Sequence, residues 1–192
     1  LNKTNNLHLV NSSKDLLEII INSLFEYQQY LIGDLPRNCD LWDIAPFHLK
    51  PKKEEYLSDH LACFLKLKFP KGVFINREVQ ISRIQYSEGE SGSKTDIWIQ
   101  TSDYITKNNI TLCIEVKCNW NKTSKTALKD QLIKKYLKGE ASAGILLLAW
   151  FDCKKPKNIK RFKFNSKMVW NSIEAAQNGL NLQAEKANSQ GY

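Results

Sequence analysis

The chain has 192 residues, a formal net charge of +8 and 42% hydrophobic residues. This length indicates a single domain that can bury a sizeable core. Eight glycines and five prolines are too few for a collagenous or low-complexity chain. No apolar run approaches the ~20 residues that a membrane-spanning helix needs, so we expect no membrane association.

The positive charge is concentrated in one part of the chain. Residues 117–167 contain 14 Lys and Arg but only three acids, whereas residues 1–116 contain 13 Lys and Arg and 15 acids. A segment this basic indicates a polyanionic partner, most simply nucleic acid. On charge alone, a solvated lysine-rich surface is an equally open alternative.

Cysteine usage and the first residue bear on the cellular context. The five cysteines are an odd number and form no close C-x-x-C pair. We therefore expect neither a disulfide framework nor a zinc site, and we expect a cytoplasmic location. The sequence begins with Leu and shows no signal peptide, so we expect it to be part of a longer protein.

Hydrophobic spacing and turn residues predict a succession of helices and strands. In chain order these are a helix at about 14–32 capped by Ser13, an irregular connector at 33–53, a helix at 53–68 opened by Pro51, strands at 73–81, 96–100 and 110–118, a helix at 125–138, a strand at 144–151 and a helix at 168–187. The predicted fold is α/β, with a mixed central sheet flanked by helices and an N-terminal helical extension. Residues 1–52 form the extension, which packs on the core, and residues 53–192 form the main domain.

Three polar residues fall on the two middle strands of this prediction. Glu115 and Lys117 are two apart and therefore share one face of their strand. If the preceding strand forms a hairpin centred between residues 105 and 106, Asp96 lies opposite Glu115. Two carboxylates and one ammonium would then lie side by side on one face of the sheet.

This grouping has a clear chemical use. Two adjacent carboxylates repel each other and favour a proton or a cation between them. Mg²⁺ is the natural occupant because it prefers oxygen ligands, and it would lower the pKa of a bound water beside a phosphate. Lys117 would orient that water or offset the developing charge. The alternative is an ordinary Glu–Lys ion pair, which the otherwise apolar strand around Glu115 makes costly.

Asp96, followed after an 18-residue gap by Glu115-Val116-Lys117, resembles the PD-(D/E)XK nuclease superfamily, which has the restriction-endonuclease-like fold. The resemblance covers about residues 53–152 and implies that Asp96 and Glu115 hold the metal. Thr95 stands where the name motif has Pro, so the motif is incomplete. The pattern Asn76-Arg77-Glu78-Val79-Gln80 further resembles nuclease-like C-terminal modules of large bacterial proteins, some from mobile-element or phage-defence loci.

The same resemblance implies roles for several other residues. Gln131 matches a catalytic-helix glutamine, with Tyr136 one turn further, and Glu55 best matches the acid of the preceding helix, although Glu54 stays open. Glu78 is a possible further ligand, with an ion pair to Arg77 or Arg83 as the alternative. The lysines expected to contact nucleic acid are Lys122, Lys125, Lys129, Lys134 and Lys135.

The hypothesis at this stage is a Mg²⁺-dependent nuclease acting on double-stranded DNA, with Mn²⁺ as a substitute metal and an antiviral defence or mobile-element setting. Many nucleases of this fold act as homodimers, so a dimer is also considered. The main alternative is a catalytically silent nucleic-acid-binding module of the same fold. A domain that binds an acidic protein partner is the second alternative.

Overall fold

The computed structural model describes residues 10–45, 48–69, 72–80, 94–138, 141–152 and 168–189, with the backbone alone for residues 44–45, 48–49 and 79–80. The helices are α1 (Ser13–Ile32), α2 (Glu54–Lys68), a π-helix (Leu128–Leu137) and α3 (Ile173–Ser189), and two short 3-10 helices span Asn38–Leu41 and Lys122–Lys125. The strands are β1 (Trp42–Ala45), β2 (His48–Pro51), β3 (Phe74–Gln80), β4 (Lys94–Ser102), β5 (Asn109–Cys118) and β6 (Ala143–Ala149).

A mixed four-stranded sheet forms the centre of the fold. Its strands lie in the order β3-β4-β5-β6. The first three are antiparallel neighbours, and β6 runs parallel to β5. Because parallel neighbours need a crossover connection, the chain leaves β5 and passes through the π-helix before it returns as β6. The predicted α/β class with a mixed central sheet is confirmed.

Helices cover both faces of this sheet. One face carries Ile97, Ile114 and Val116, which pack with the buried side of α1 and α2 into the main core. The other face carries Trp98 and Cys113, which pack against Leu132 and Tyr136 of the π-helix. Alternation along β5 therefore gives Glu115 and Lys117 to the face that the π-helix covers.

A glycine allows the π-helix to approach the sheet closely. Gly144 of β6 lies beside Cys113 of β5. A Cβ atom at Gly144 would lie 2.9 Å from Leu132 Cδ1 and 3.3 Å from Cys113 Sγ. The absence of a side chain at this position therefore sets the spacing between the π-helix and the strands.

Several details differ from the sequence prediction. The N-cap of α1 is Ser12, whose hydroxyl accepts a hydrogen bond from the Asp15 amide, rather than Ser13. The connector expected to be irregular contains the β1–β2 hairpin, and Pro51 ends β2 instead of opening α2. Most of the helix predicted at 125–138 is the π-helix Leu128–Leu137, and the 3-10 helix that precedes it ends at Lys125.

Some predictions fall outside the described residues. These include Arg83 and residues 154–167 of the basic segment. Among the described helices, none combines the length and the apolar composition needed to cross a bilayer. The four cysteines that the structure describes are free thiols: Cys39, Cys63, Cys113 and Cys118.

Candidate active site

The hairpin of β4 and β5 has the register that the sequence predicts. The ladder pairs Ile97 with Ile114 and continues to Ser102 opposite Asn109, so its centre lies between residues 105 and 106. The β4–β5 ladder ends at Ile97 and Ile114. Asp96 and Glu115 are the next residue on each strand, and there the Asp96 side chain accepts from the Val116 amide. The β-hairpin thus carries both carboxylates to one end of the sheet.

Lys117 lies at the centre of a cluster of carboxylates. Its Nζ atom is 2.5 Å from Glu115 Oε1, 3.5 Å from Glu54 Oε1 and 4.0 Å from Asp96 Oδ2. It also donates a hydrogen bond to the Val116 carbonyl at 3.1 Å. The structure therefore brings the three residues of the predicted motif together and adds Glu54 as a third carboxylate.

Glu54 is the first residue of α2, and its carboxylate is fixed by donors at the end of β5. Its Oε2 accepts from the Cys118 amide at 2.7 Å, and both oxygens accept from Asn121 Nδ2 at 2.9 and 3.0 Å. The neighbouring Glu55, which the resemblance favoured, has an exposed side chain. Of the two adjacent acids, Glu54 is the one in contact with Lys117.

Asp96 is anchored through both its side chain and its backbone. Its Oδ2 accepts from the Val116 amide at 2.8 Å. Arg77 Nη1 donates to the Asp96 carbonyl and lies 3.9 Å from Asp96 Oδ1. These contacts orient the Asp96 carboxylate, and its Oδ1 oxygen can still accept a further hydrogen bond or bind a cation.

Burial gives the cluster unusual proton affinities. Glu115 and Lys117 are 3% and 5% exposed. Burial raises the pKa of Glu115, and the nearby Asp96 adds to the rise against the opposing effect of Lys117. Burial likewise raises the pKa of Asp96 above its ordinary 3.8, with a further contribution from Glu55. Both carboxyl groups thus bind a proton more readily than in water.

The pKa of Lys117 is also raised, but for an ammonium group this favours the charged form. Burial lowers the pKa of Lys117, but the carboxylates of Glu115, Glu54 and Asp96 outweigh this effect and hold the pKa above its ordinary value. Lys117 therefore keeps its proton at neutral pH and acts as a hydrogen-bond donor. It is not suited to the role of a general base.

Among the described residues, three buried side-chain oxygens lack hydrogen-bond partners. They are Oε2 of Glu115 in the cluster, Oε1 of Gln131 in the π-helix and Oε1 of Gln183 in α3. A buried acceptor without a partner is costly, and it is a feature expected where a cation or a water binds. Within the described part of the chain, no three His, Cys, Asp or Glu side chains form a ready-made metal site.

Tyr136 and Glu78, the two further candidates, lie in different surroundings. Tyr136 is buried, and its hydroxyl donates to the Lys94 carbonyl at 2.6 Å. The same side chain lies close enough to Glu115 to oppose the rise in the pKa of that carboxyl, a rise that burial mainly causes. The Glu78 side chain is 53% exposed and lies 3.9 Å from Arg77 and 3.8 Å from Lys94. Of the two, Tyr136 contacts the cluster, whereas Glu78 forms surface ion pairs.

The five lysines predicted to contact nucleic acid are all exposed. They lie on the 3-10 helix Lys122–Lys125 and the π-helix, which follow β5 directly. Lys134 pairs with Asp130 at 2.8 Å, and Lys125 Nζ lies 5.2 Å from the centre of the Trp170 ring. The chain thus places a basic surface on the connection that leaves Lys117.

Sequence reasoning did not single out Asn121 or give Arg77 a role in the site. Asn121 begins the 3-10 helix after β5 and binds Glu54 across 67 positions of sequence. In the sequence around Asn121, the one feature that would draw attention to this residue is the preference of Asn for the N-cap position of a helix. Arg77 was noted as an ion-pair partner of Glu78, but its contacts with Asp96 and α2 depend on how β3 packs.

Comparison of the chain with protein-family models, curated protein sequences and solved structures finds no match.

Proposed function

We propose that this chain is a Mg²⁺-dependent nuclease that hydrolyses phosphodiester bonds in DNA, and that it has a restriction-endonuclease-like fold. The observation that carries the proposal is the convergence of Glu54, Asp96 and Glu115 on one buried ammonium. When all groups are ionised, three carboxylates around the Lys117 ammonium, with the Arg77 guanidinium 3.9 Å from Asp96, leave an excess of one negative charge, which a divalent cation would offset.

The residues present fit a hard divalent ion. Asp96 Oδ1 and Glu115 Oε2 would hold it, since Oε2 accepts no hydrogen bond from the residues that the structure describes while Oε1 remains with Lys117. Glu54 would contribute directly or through water. When bound, Mg²⁺ supplies Lewis-acid activation of a phosphate oxygen and of water.

The other residues have roles of their own in this proposal. Lys117 donates a hydrogen bond to the attacking water and offsets negative charge as the water oxygen bonds to phosphorus and the bond from phosphorus to the leaving oxygen breaks. The water gives up its proton to solvent, and the leaving oxygen takes up a proton from solvent. Gln131 directs its buried amide oxygen to the substrate or to an ordered water. Tyr136 supports Glu115 from the π-helix.

The exposed lysines would bind the phosphate backbone beside the cluster. Lys122, Lys129 and Lys135 are suited to this because phosphate contacts are electrostatic and independent of sequence. The same lysines favour a second candidate function, a silent DNA-binding module. That candidate predicts salt-sensitive binding without cleavage.

Plasmid cleavage in Mg²⁺ tests the proposal. Wild type is expected to cleave, whereas Asp96→Ala and Lys117→Ala are expected to lose at least about 100-fold in rate, as for removal of a transition-state stabilising group. Matched controls are Asp34→Ala and Lys50→Ala, which remove exposed charges outside the cluster. Filter binding of the same DNA in Ca²⁺ at increasing salt measures how strongly each protein binds DNA, independently of cleavage.

Equal cleavage by wild type and both cluster variants would reject the assignment. Binding by all proteins with cleavage by none would instead support the silent module.

A further inference from the structure

Arg77 connects three parts of the fold that meet at the carboxylate cluster. Arg77 lies on β3, and its side chain is 15% exposed. Its Nε donates to Asp59 Oδ1 at 2.6 Å and its Nη2 donates to the Glu55 carbonyl at 3.2 Å, both on α2. Its Nη1 donates to the Asp96 carbonyl on β4. One guanidinium thus joins the first turns of α2 to the strand that carries Asp96.

The β3 backbone next to Arg77 departs from regular strand geometry. The β3–β4 ladder pairs Arg77 with Ile97 and Val79 with Thr95, but it does not pair Glu78 with Asp96, although the structure describes both. Glu78 has a φ of 49°, in the left-handed region that residues other than glycine rarely adopt. The ladder is interrupted directly opposite Asp96, where the Asp96 carbonyl accepts from Arg77.

The contacts of Arg77 bear on two carboxylates of the cluster. Asp96 is held through its carbonyl, and Glu54 is held because it begins the helix whose first turn contains the Glu55 carbonyl. Lys117 lies between these two carboxylates. A displacement of α2 relative to β4 would therefore change the distance between Glu54 and Asp96.

We propose that Arg77 is a positioning residue for the metal site: its guanidinium fixes α2 to β4 and so holds the Glu54 and Asp96 carboxylates at the spacing that a divalent ion requires. This inference rests on the proposed function. It assigns Arg77 no contact with metal or substrate.

Mn²⁺ calorimetry and Mg²⁺-dependent cleavage test the role together. Arg77→Met is expected to weaken Mn²⁺ binding and raise the half-saturating Mg²⁺ concentration about tenfold, the usual effect of losing a residue that orients metal ligands. Its kcat at saturating Mg²⁺ is expected to stay near the wild-type value. Arg77→Lys is expected to restore part of the affinity, since one ammonium reaches fewer acceptors than the guanidinium fork.

The controls separate positioning from general stability. Arg37→Met removes an exposed arginine away from the cluster and is expected to leave Mn²⁺ affinity unchanged. Asp59→Ala removes one anchor of Arg77 at a side chain that is 60% exposed, so folding is retained. We expect it to weaken Mn²⁺ binding several-fold.

Two failures are distinguishable. If Asp96→Ala abolishes Mn²⁺ binding while Arg77→Met binds like wild type, the role of Arg77 is wrong and the metal site stands. If Arg77→Met does not fold, unchanged Mn²⁺ affinity in Asp59→Ala overturns the role. If wild type and Asp96→Ala give the same Mn²⁺ isotherm, the proposed metal site is wrong, and the role of Arg77 with it.

Discussion

At the scale of single residues, the cluster around Lys117 holds ionisable groups where burial disfavours their charged forms. Asp96 and Glu115 both have raised pKa values because burial outweighs the lowering effect of Lys117. A carboxyl whose pKa is higher in the folded than in the unfolded protein lowers the free energy of unfolding once it ionises. Such a cost is typical of residues kept for function.

Asp96→Asn is expected to be at least as stable as wild type at neutral pH, because it removes the buried charge and keeps an oxygen for the Val116 amide. The sign follows from the raised pKa. As pH rises from the ordinary value of 3.8 to the higher folded value, the unfolded state loses its proton first, so wild type loses stability relative to the variant. Chemical denaturation across this range measures the difference.

Asp34→Asn, which neutralises an exposed carboxyl outside the cluster, controls for the loss of one charge. A wild-type advantage over Asp96→Asn that grows with pH would show that Asp96 is stabilised as a carboxylate, contrary to this account.

At the scale of elements, the contact between the π-helix and the sheet determines where Gln131 and Tyr136 lie. Leu132, which lies between Gln131 and Tyr136 in sequence, packs against Gly144 and Cys113. π-Helical turns are rare and often occur at functional sites. The wider winding changes which side chains of residues 128–137 face β5, a change that a helical hydrophobic pattern does not specify.

Gly144→Ala is expected to lower the free energy of unfolding by about 1–3 kcal/mol, the usual cost of overpacking a core. The new methyl group would lie 2.9 Å from Leu132 Cδ1. Denaturant titration measures the loss. In a Leu132→Ala background the same substitution should cost much less, since the colliding atoms are gone. Equal costs in both backgrounds would show that this contact does not set the spacing.

Other element-level differences have local causes. The β1–β2 hairpin has only four residues in each strand and no clear apolar alternation, so no periodic pattern predicts it. The acid of α2 was ambiguous because Glu54 and Glu55 are adjacent and a helix turns by about 100° per residue. The position of Glu54 depends on α2 beginning there, without a side-chain cap to mark the start.

At the scale of the whole molecule, local pairing was predictable and long-range pairing was not. The β4–β5 register follows from a short hairpin, so Asp96, Glu115 and Lys117 could be grouped from the sequence. The contact of Glu54 with the Cys118 amide joins residues 64 positions apart. It requires α2 to pack at the end of β5, which no pattern within either segment specifies.

A crystal soaked in Mn²⁺ shows whether the carboxylates of α2, β4 and β5 hold a divalent ion, because anomalous scattering locates manganese among these groups. We expect one strong peak between Asp96 and Glu115 and next to Glu54, and no such peak in Asp96→Ala. A saturated crystal whose manganese binds elsewhere, or nowhere on the chain, would contradict this expectation.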